Sequence, residues 1–230
     1  MTAQKPACDR VGERIWRVAN LVHASNTYIC ATGEPEGCFL VDPGTDSELI
    51  DTALAELGLK PSHIFCTHGH FDHVGSAAFF QDKYGAACYL HRDDQKTLRG
   101  SNFLMMAFRI PFTMKLPRTA ALEGFAGNLG GQNLRAIDSP GHTPGSCILQ
   151  YGNALFTGDT LYYRGVGLSK LPGGDSEQLK ATLLGLWDSL PAEAQVFPGH
   201  GDCGPLAKVK IDNKPLLQFL GLMDPPEGEA

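Results

Sequence analysis

Short apolar runs separated by turn residues open the chain and predict strands. Gly, Pro or Asn punctuates the runs, which are "RIWRV" (14–18), "NTYICA" (26–31) and "CFLVD" (38–42). The next segment, "TDSELIDTALAEL" (45–57), places its apolar residues at helical spacing. Thr45 followed three residues later by Glu48 predicts a capping box at the start of this helix.

Strand and helix patterns continue to alternate along the rest of the chain. "HIFCT" (63–67) reads as a short buried strand, followed by a helix at 74–85 and a strand at 87–91. After a mixed stretch, the predicted elements are strands at 133–138, 146–151 and 153–159, a helix at 175–190 that begins at Asp175 or Ser176, and a strand at 195–200. Because the elements come in two batches, each with its strands first, we predict a layered α/β fold in which helices enclose the sheets.

The composition narrows the classes of function. The chain has 230 residues, 43% of them hydrophobic and 19% charged, which predicts a single globular domain over 1–230. The formal net charge of −6 argues against nucleic acid as a partner, because proteins that bind through phosphate contacts are usually basic. We see no segment of signal-peptide or membrane-span length, and the seven cysteines show no paired close spacing. We therefore expect a reduced, cytoplasmic protein that does not bind membranes.

One loop, "CTHGHFDHVG" (66–75), concentrates histidine and aspartate. His68 and His70 are two residues apart in an extended segment, so their side chains leave the same side of the backbone. Asp72 and His73 follow just before a helix start, where the turning chain aims them in other directions.

Three later loops carry the same residue types beside glycine: His142 in "SPGHTPGS", Asp159 in "LFTGDTLY" and His200 in "FPGHG". Each loop follows an apolar strand-like run, and such loops converge on one crevice in layered α/β folds. Alone, any of these residues would more often be solvated or hydrogen-bonded than a ligand. A structural zinc site needs only four ligands and is usually rich in cysteine. Seven nitrogen and oxygen ligands instead predict two adjacent ions with open positions, which is a catalytic arrangement.

The combination of His-x-His-x-Asp-His with separate His, Asp and His loops resembles the metallo-β-lactamase superfamily, over about residues 14–205. The resemblance implies an αβ/βα sandwich with two metals in a groove along one edge, followed by a C-terminal tail at 206–230. The ligands that it implies are His68, His70 and His142 for the first metal, Asp72, His73 and His200 for the second, and Asp159 as the bridge.

A two-metal hydrolytic mechanism suits this ligand set. A carboxylate can span ions roughly 3.5–4 Å apart and offset their repulsion, and a hydroxide held between them is a strong nucleophile at neutral pH. We expect that hydroxide to attack a carbonyl carbon, with Asp72 and Asp159 as the catalytic carboxylates. Zinc is the expected metal, although imidazole and carboxylate ligands suit iron and manganese as well.

Asp159 narrows the substrate class. Antibiotic-hydrolysing members typically carry cysteine or serine at this position, whereas "GDT" resembles glyoxalase II, which cleaves thioesters such as S-lactoylglutathione. Leu168 departs from that pattern, because close relatives often carry arginine after the glycine corresponding to Gly167. Only Lys208, Lys210 and Lys214 could stand in for the basic C-terminal domain by which larger glyoxalase II enzymes bind glutathione. Recognition of glutathione is therefore left open.

Four other functions compete with the thioesterase. A persulfide dioxygenase of the same scaffold would use one iron held by His68, His142 and Asp159. A lactonase or esterase is the third hypothesis. A nuclease is disfavoured by the acidic charge, and a binding module that lost catalysis is disfavoured by the complete ligand set.

The segment "SNFLMMAFRIPFTMKLPR" (101–118) is rich in Phe and Met and has basic but no acidic residues. It could be ordinary core or a dimer contact. It could equally be a flap over the metals, whose contacts to an apolar acyl group would be Met105, Met106, Phe108 and Phe112. The residues available to meet a substrate carboxylate or phosphate would then be Arg109, Lys115 and Arg118.

A few further polar residues are candidates for supporting roles. Asp42 in "VDPG" could orient the metal loop or simply begin a turn. Tyr162 or Tyr163 could reach the substrate oxyanion, although packing is expected for at least one of them. Cys203 is expected to be a bystander. His23, His63 and His91 carry no predicted role.

Overall fold

The computed structural model of the chain describes residues 8–168 and 170–223, which form two sheets with helices on their outer faces. The first sheet contains, in spatial order, β1 Asp9–Arg10, β2 Ile15–Ala19, β3 Asn26–Ala31, β4 Gly37–Val41, β5 Lys60–Phe65, β6 Ala87–Leu90 and β7 Thr119–Ala121. The second sheet has the order β13-β12-β11-β10-β9-β8, with β8 Ala126–Leu129, β9 Gln132–Asp138, β10 Cys147–Tyr151, β11 Ala154–Gly158, β12 Gln195–Pro198 and β13 Gly204–Pro205.

The helices lie in two groups, before and after the second sheet's long antiparallel strands in sequence. They are α1 Ser47–Leu57, α2 Phe71–Val74, α3 Ala77–Tyr84, α4 Gln95–Ala107, α5 Ser176–Leu186, α6 Leu206–Asp212 and α7 Lys214–Leu220. A 3-10 turn, Arg92–Asp94, leads directly into α4.

The core is layered as the periodicity predicts. Large aromatic residues such as Phe39, Phe65 and Phe156 fill the space between the sheets, where the rings of Phe39 and Phe65 pack edge to face. α1, α3 and α4 bury their apolar faces on the first sheet, and α5, α6 and α7 do so on the second. Each fully buried side chain of this size contributes roughly 1.5–3 kcal/mol to folding. The predicted αβ/βα sandwich is confirmed.

The direction of the strands brings loops of both sheets to one edge. β4, β5 and β6 run parallel in the first sheet, with α1 and then α2–α3 as crossovers. β11 and β12 run parallel in the second. The carboxyl ends of parallel strands lie at the same sheet edge, where polar loop residues are not required to pack in the core. The loops after β4, β5, β6, β11 and β12 therefore collect there.

Two local predictions differ from the structure. The capping box is wrong: α1 begins after Asp46 without a side-chain cap, and the buried Thr45 hydroxyl finds no hydrogen-bond partner among the described residues. The Asn20 side chain instead accepts a hydrogen bond from the Asp46 N–H at 3.3 Å. The helix predicted at 74–85 is observed as α3, Ala77–Tyr84, and a separate short helix, α2, precedes it in the segment that was predicted to be a loop.

Two predictions concern the carboxyl-terminal part of the chain, namely the start of α5 and the tail at 206–230. Asp175 is the N-cap of α5, as predicted, because its carboxylate accepts hydrogen bonds from the N–H groups of Glu177 and Gln178. The predicted tail at 206–230 contains α6 and α7, whose buried leucines pack with α5, and residues 224–230 lie outside the described residues.

The structure adds two facts about the whole described chain. All seven cysteines lie within it, and none forms a disulfide. None of the described helices has both the length and the apolar character required to cross a bilayer.

Candidate metal centre

The structure brings all seven predicted ligands together at this edge. The loop from β5 into α2 carries four of them, the β9–β10 loop carries His142, and the turns after β11 and β12 carry Asp159 and His200. All are buried except His200, whose side chain is 25% exposed. That these residues bind metal remains a prediction, but their convergence is an observed property of the fold.

Three imidazoles form the first group. His70 Nδ1 lies 3.1 Å from His68 Nε2 and 3.1 Å from His142 Nε2. His68 and His70 come from one loop, whereas His142 is supplied by the second sheet. We call these residues the neutral trio, because the trio contains no carboxylate and the pKa values of His68 and His70 are lowered.

The second group mixes imidazole with carboxylate. His200 Nε2 lies 3.3 Å from His73 Nε2 and 3.4 Å from Asp72 Oδ2. We call Asp72, His73 and His200 the acidic trio.

Asp159 lies between the two trios. Its Oδ2 is 3.4 Å from both His142 Nε2 and His200 Nε2, and its Oδ1 is 3.5 Å from His73 Nε2. The buried Oδ1 accepts no hydrogen bond from the described residues. A buried carboxylate oxygen without a donor is costly, so its environment suits a cation.

Hydrogen bonds at the outer edge of the cluster orient the imidazoles. His142 Nδ1 donates to the Gly167 carbonyl at 2.9 Å. His73 Nδ1 donates to Asp42 Oδ2 at 3.1 Å. When Nδ1 carries the only ring proton, Nε2 presents its lone pair to the centre, and an oxygen that accepts from Nδ1 is the usual second partner of a metal-bound histidine.

Asp42 organises the β5 loop beyond its contact with His73. Its Oδ1 accepts the Thr67 N–H at 2.7 Å and its Oδ2 accepts the Thr67 hydroxyl, also at 2.7 Å. The Thr67 oxygen, having donated its proton, accepts from His68 Nδ1 at 3.1 Å. Asp42 also has a positive φ of 50°, which is unusual for a residue other than glycine. Of the two roles considered for Asp42, these contacts support orientation of the metal loop.

Asp94 is a functional residue that the sequence analysis missed. Its carboxylate accepts hydrogen bonds from the Gly69 N–H at 2.6 Å, the Gly145 N–H at 2.8 Å and the Thr143 hydroxyl at 2.8 Å. It thereby joins the loop of His68 and His70 to the loop of His142. Asp94 comes just after β6, so the rule that located the other residues, an acidic side chain after a strand, could also have found it.

Two glycines let the loops approach Asp159. A Cβ on Gly199 would lie 2.2 Å from Asp159 Oδ1, and a Cβ on Gly167 would lie 1.7 Å from the Asp159 carbonyl oxygen. Any side chain at either position would displace the carboxylate or its backbone. Close packing against Asp159 therefore explains why glycine occupies both positions.

Charge divides the two trios. Burial, and then neighbouring histidines, hold the pKa of His68 well below its usual range and lower that of His70 to about 4. Burial alone would also lower the pKa values of His73 and His200, but adjacent carboxylates reverse the effect and raise them to about 9 and about 10. Burial alone would raise the pKa of Asp159, but the charge of His73 and the hydrogen bond from His200 hold it well below its usual range.

The donor set fits divalent metal ions. A tetrahedral zinc shell with bonds of 2.0–2.1 Å separates its ligand atoms by about 3.3 Å, close to the distances within both trios. Among residues 8–168 and 170–223, three groups have ligand atoms within 4.8 Å of one another, and these are His68–His70–His142, His68–His73–Asp159 and Asp72–His73–His200. The middle group shares His68 with the first group and His73 with the third, so two ions could lie side by side.

The remaining candidates fall in different places. The Tyr162 ring lies 6.1 Å from His200, and burial and the nearby Asp159 carboxylate raise the pKa of its hydroxyl. Tyr163 instead packs on Gly204 and the second helical layer, as expected for one of the pair. Cys203 contacts the Tyr28 hydroxyl and belongs to none of the three groups.

The unassigned histidines lie outside the three ligand groups. His23 packs its ring against Phe71, and His63 stacks on Phe65. The side chain of His91 accepts a hydrogen bond from the Asp93 N–H at the start of the 3-10 turn.

Segment 101–118 is partly buried and partly exposed. Met105 and Met114 are buried in the first helical layer, so this part is core. Met106, Phe108 and Phe112 are 66%, 46% and 44% exposed. The Phe108 ring contacts His23 and Phe71 beside the metal loop. The flap therefore cannot use Met105 for substrate contact.

Two of the three basic residues of this segment, Lys115 and Arg118, contact α3. Lys115 forms a salt bridge with Asp82 at 2.6 Å, and the Arg118 backbone exchanges hydrogen bonds with the Gln81 side chain.

The sequence of this chain is similar to sequences of one known protein family. Residues 21–200 match the family model described as the metallo-beta-lactamase superfamily. The chain belongs to the metallo-β-lactamase superfamily. It is 33% identical over 185 residues to the probable metallo-hydrolase YqgX of Bacillus subtilis, covering 77% of this chain and 85% of that protein.

Two further superfamily relatives are informative. A hydroxyacylglutathione hydrolase of Anaeromyxobacter dehalogenans is 34% identical over 179 residues, covering 78% of this chain and 62% of that enzyme. The solved structure of TTHA1623 in a di-iron-bound form has a TM-score of 0.77 and 33% identity, covering 86% of this chain and 98% of that one. Membership of this superfamily, together with the clustered His and Asp side chains, supports a metal-dependent hydrolase that binds divalent ions.

Proposed function

We propose that this superfamily member is a dinuclear metal-dependent hydrolase of the glyoxalase II type that cleaves a small-molecule thioester. The position of Asp159 carries the proposal, because one carboxylate lies within 3.5 Å of imidazole nitrogens from both trios. Two divalent ions at such a site would polarise a carbonyl group and lower the pKa of water to about 7.

The residues of this chain supply the ligands and their orientation. His68, His70 and His142 would hold one ion, and Asp72, His73 and His200 the other. Asp159 would contribute one oxygen to each, which offsets the repulsion between two cations. Asp42 and the Gly167 carbonyl accept from the Nδ1 atoms of His73 and His142, so the Nε2 atoms of these two rings face the centre.

Two observations support a thioester as substrate. The bridging position holds aspartate, as in the glyoxalase II pattern, and the similar Anaeromyxobacter protein is named for hydrolysis of a hydroxyacylglutathione. The match covers 62% of that enzyme, so glutathione as the thiol is part of the proposal to be tested. A cytoplasmic location is also proposed, and the seven free thiols agree with a reducing compartment.

Zinc is the metal that we propose, because thioester hydrolysis requires no redox change at the ion. Iron is the alternative, since TTHA1623 was solved in a di-iron-bound form. A persulfide dioxygenase would need one iron only, and the complete acidic trio favours two ions over one.

Metal analysis combined with substrate screening tests the proposal. The purified protein should contain two metal equivalents and release thiol from S-lactoylglutathione or a simpler acyl thioester without consuming oxygen. One equivalent of iron with oxygen uptake on glutathione persulfide would contradict it. Hydrolysis of a lactone but of no thioester would replace the substrate class while retaining the metal centre.

A further inference from the structure

A second feature lies beside the neutral trio. A cavity of about 350 Å³ separates α4 from the loop before α5, and its volume lies within the range of small-molecule sites. The residues that line it include Thr97, Gly100, Phe103, Leu104, Pro144 and Pro172. None of them belongs to the predicted ligand set, so the cavity is a separate element of the molecule.

The cavity adjoins both loops of the neutral trio. Pro144 is two residues beyond His142, and two residues span at most about 7 Å. On the other side, an added Cβ on Gly69, which separates His68 from His70, would lie 3.2 Å from the Thr97 Cβ. A molecule whose reacting carbon lies at the cluster could therefore extend an arm into the cavity.

The lining indicates the chemistry of that arm. Thr97, Gly100 and Leu104 are three and four residues apart and form one face of α4. Phe103 is 67% exposed at the cavity, which leaves a large apolar surface without a partner among the described residues. The charged lining residues, Asp93 and Lys96, are of opposite sign and cancel in net charge. The lining thus suits an uncharged aliphatic group.

Gly100 explains why the cavity exists. It lies in the middle of α4, where glycine is among the least favourable residues for a helix. An added Cβ would meet no atom within 4 Å, so the space beside it is open. A longer side chain at this position would fill the cavity from the helix side.

We propose that this cavity binds the aliphatic acyl arm of the substrate and sets its chain length. This inference rests on the proposed thioesterase function for its catalytic consequence, but binding of an arm in the cavity does not depend on hydrolysis.

The test combines a filled cavity with a matched control. Gly100→Leu places a side chain in the space, whereas Gly185→Leu introduces the same residue into α5 at a helical glycine whose added Cβ also meets no atom within 4 Å. For the metal-loaded enzyme, kcat/KM is measured on hexanoyl- and acetyl-N-acetylcysteamine. Gly100→Leu should lower the hexanoyl-to-acetyl ratio about tenfold or more, because a few methylene groups lose their site. Gly185→Leu should leave the ratio unchanged.

Calorimetric binding of S-hexyl-N-acetylcysteamine, a thioether that cannot be hydrolysed, provides a readout without turnover. The wild type should bind it, and Gly100→Leu should weaken binding about tenfold or more relative to Gly185→Leu. If no thioester is hydrolysed but this difference is found, the proposed function fails and the cavity proposal stands. If hexanoyl thioester is hydrolysed but neither the ratio nor thioether binding changes, the cavity proposal is wrong. Absence of thioether binding to the wild type would also overturn it.

Discussion

The neutral trio and the acidic trio gather predicted metal ligands in opposite electrostatic environments. In the neutral trio, burial and mutual repulsion lower the pKa values of His68 and His70, so these rings are uncharged at pH 7. In the acidic trio, carboxylates raise the pKa values of His73 and His200 to about 9 and about 10, so these rings are protonated. His68 and His70 of the neutral trio can therefore bind an ion without losing a proton, whereas His73 and His200 of the acidic trio must first release protons.

The two trios also differ in the contacts that hold their residues in place. Asp94 fixes the two loops of the neutral trio through backbone N–H groups and a buried hydroxyl. The acidic trio is joined by ion pairs among its own members and is the more exposed half, because the His200 side chain is 25% exposed. We therefore expect the neutral trio to bind metal first, and we expect the metal affinity of the acidic trio to depend on pH.

Replacing the shared carboxylate should give the largest effect. Asp159→Asn removes the charge that serves both halves, and we expect kcat/KM for the thioester to fall by about 10²–10³-fold or more. Metal content should drop below two equivalents. Asp188→Asn, at an exposed position in the turn after α5, is the control for loss of one negative charge. Full turnover by Asp159→Asn would remove the basis of the proposed function.

Removing one histidine from each trio tests the comparison directly. His142→Ala should abolish tight binding at the neutral trio and lower kcat/KM by about 10²-fold, because a three-nitrogen site loses a ligand. His200→Ala should lower kcat/KM less, about tenfold, since the neutral trio and Asp159 remain. Metal content per chain and steady-state kinetics provide the measurement. A greater loss of kcat/KM for His200→Ala than for His142→Ala would contradict the expectation that the neutral trio contributes more to activity.

The pH dependence of metal affinity should differ between the trios. An ion at the acidic trio displaces a proton from both His73 and His200, so its affinity should rise by up to about 100-fold per pH unit between about pH 6.5 and 9. Affinity at the neutral trio should rise less steeply, because the lowered pKa values of His68 and His70 leave these two rings no proton to release above pH 6.5. Calorimetric zinc titrations in buffers of different ionisation enthalpy count the protons released, and His200→Ala should release one fewer.

The same pKa shifts determine whether the stability of the metal-free protein rises or falls with pH. Because His73 and His200 have folded-state pKa values above the unfolded value near 6.5, their ion pairs stabilise fully below that pH and lose effect as the pH rises through about 9 and 10. His68 and His70 act in the opposite direction, because their lowered pKa values cost stability as the pH falls below 6.5. Denaturant titrations of metal-free protein between pH 5 and 10 would separate the two trends.

Loss of loop support at the neutral trio should change metal affinity without removing a ligand. Asp94→Asn keeps the shape of the side chain but cannot accept all three hydrogen bonds, and we expect metal affinity at the neutral trio to fall by about 10–100-fold. Affinity at the acidic trio should not change, which distinguishes positioning from general destabilisation. Asp93→Asn, the exposed neighbour, is the matched control. Equal weakening at both trios would contradict the assignment of Asp94.

Some features of the site could be predicted locally and others could not. His68 and His70 were recognisable from their spacing in an extended segment, and Asp175 from its place before a helix. Thr45 and Glu48 satisfied the same kind of rule and were misleading, because Asn20, 26 residues away in sequence from Asp46, binds the backbone there instead. Short patterns predict well only where no distant side chain competes for the same groups.

The sequence by itself determined the alternating elements, the sandwich of sheets and helices, and the set of residues available as ligands. These follow from periodicity and from the chemistry of imidazole and carboxylate, which need no knowledge of distant contacts. Only the tertiary structure decided that one half of the cluster is neutral and the other charged, that Asp94 joins two loops, and that a cavity adjoins them. Those properties depend on burial and on distances between segments far apart in the chain, because desolvation and charge–charge interactions act through space.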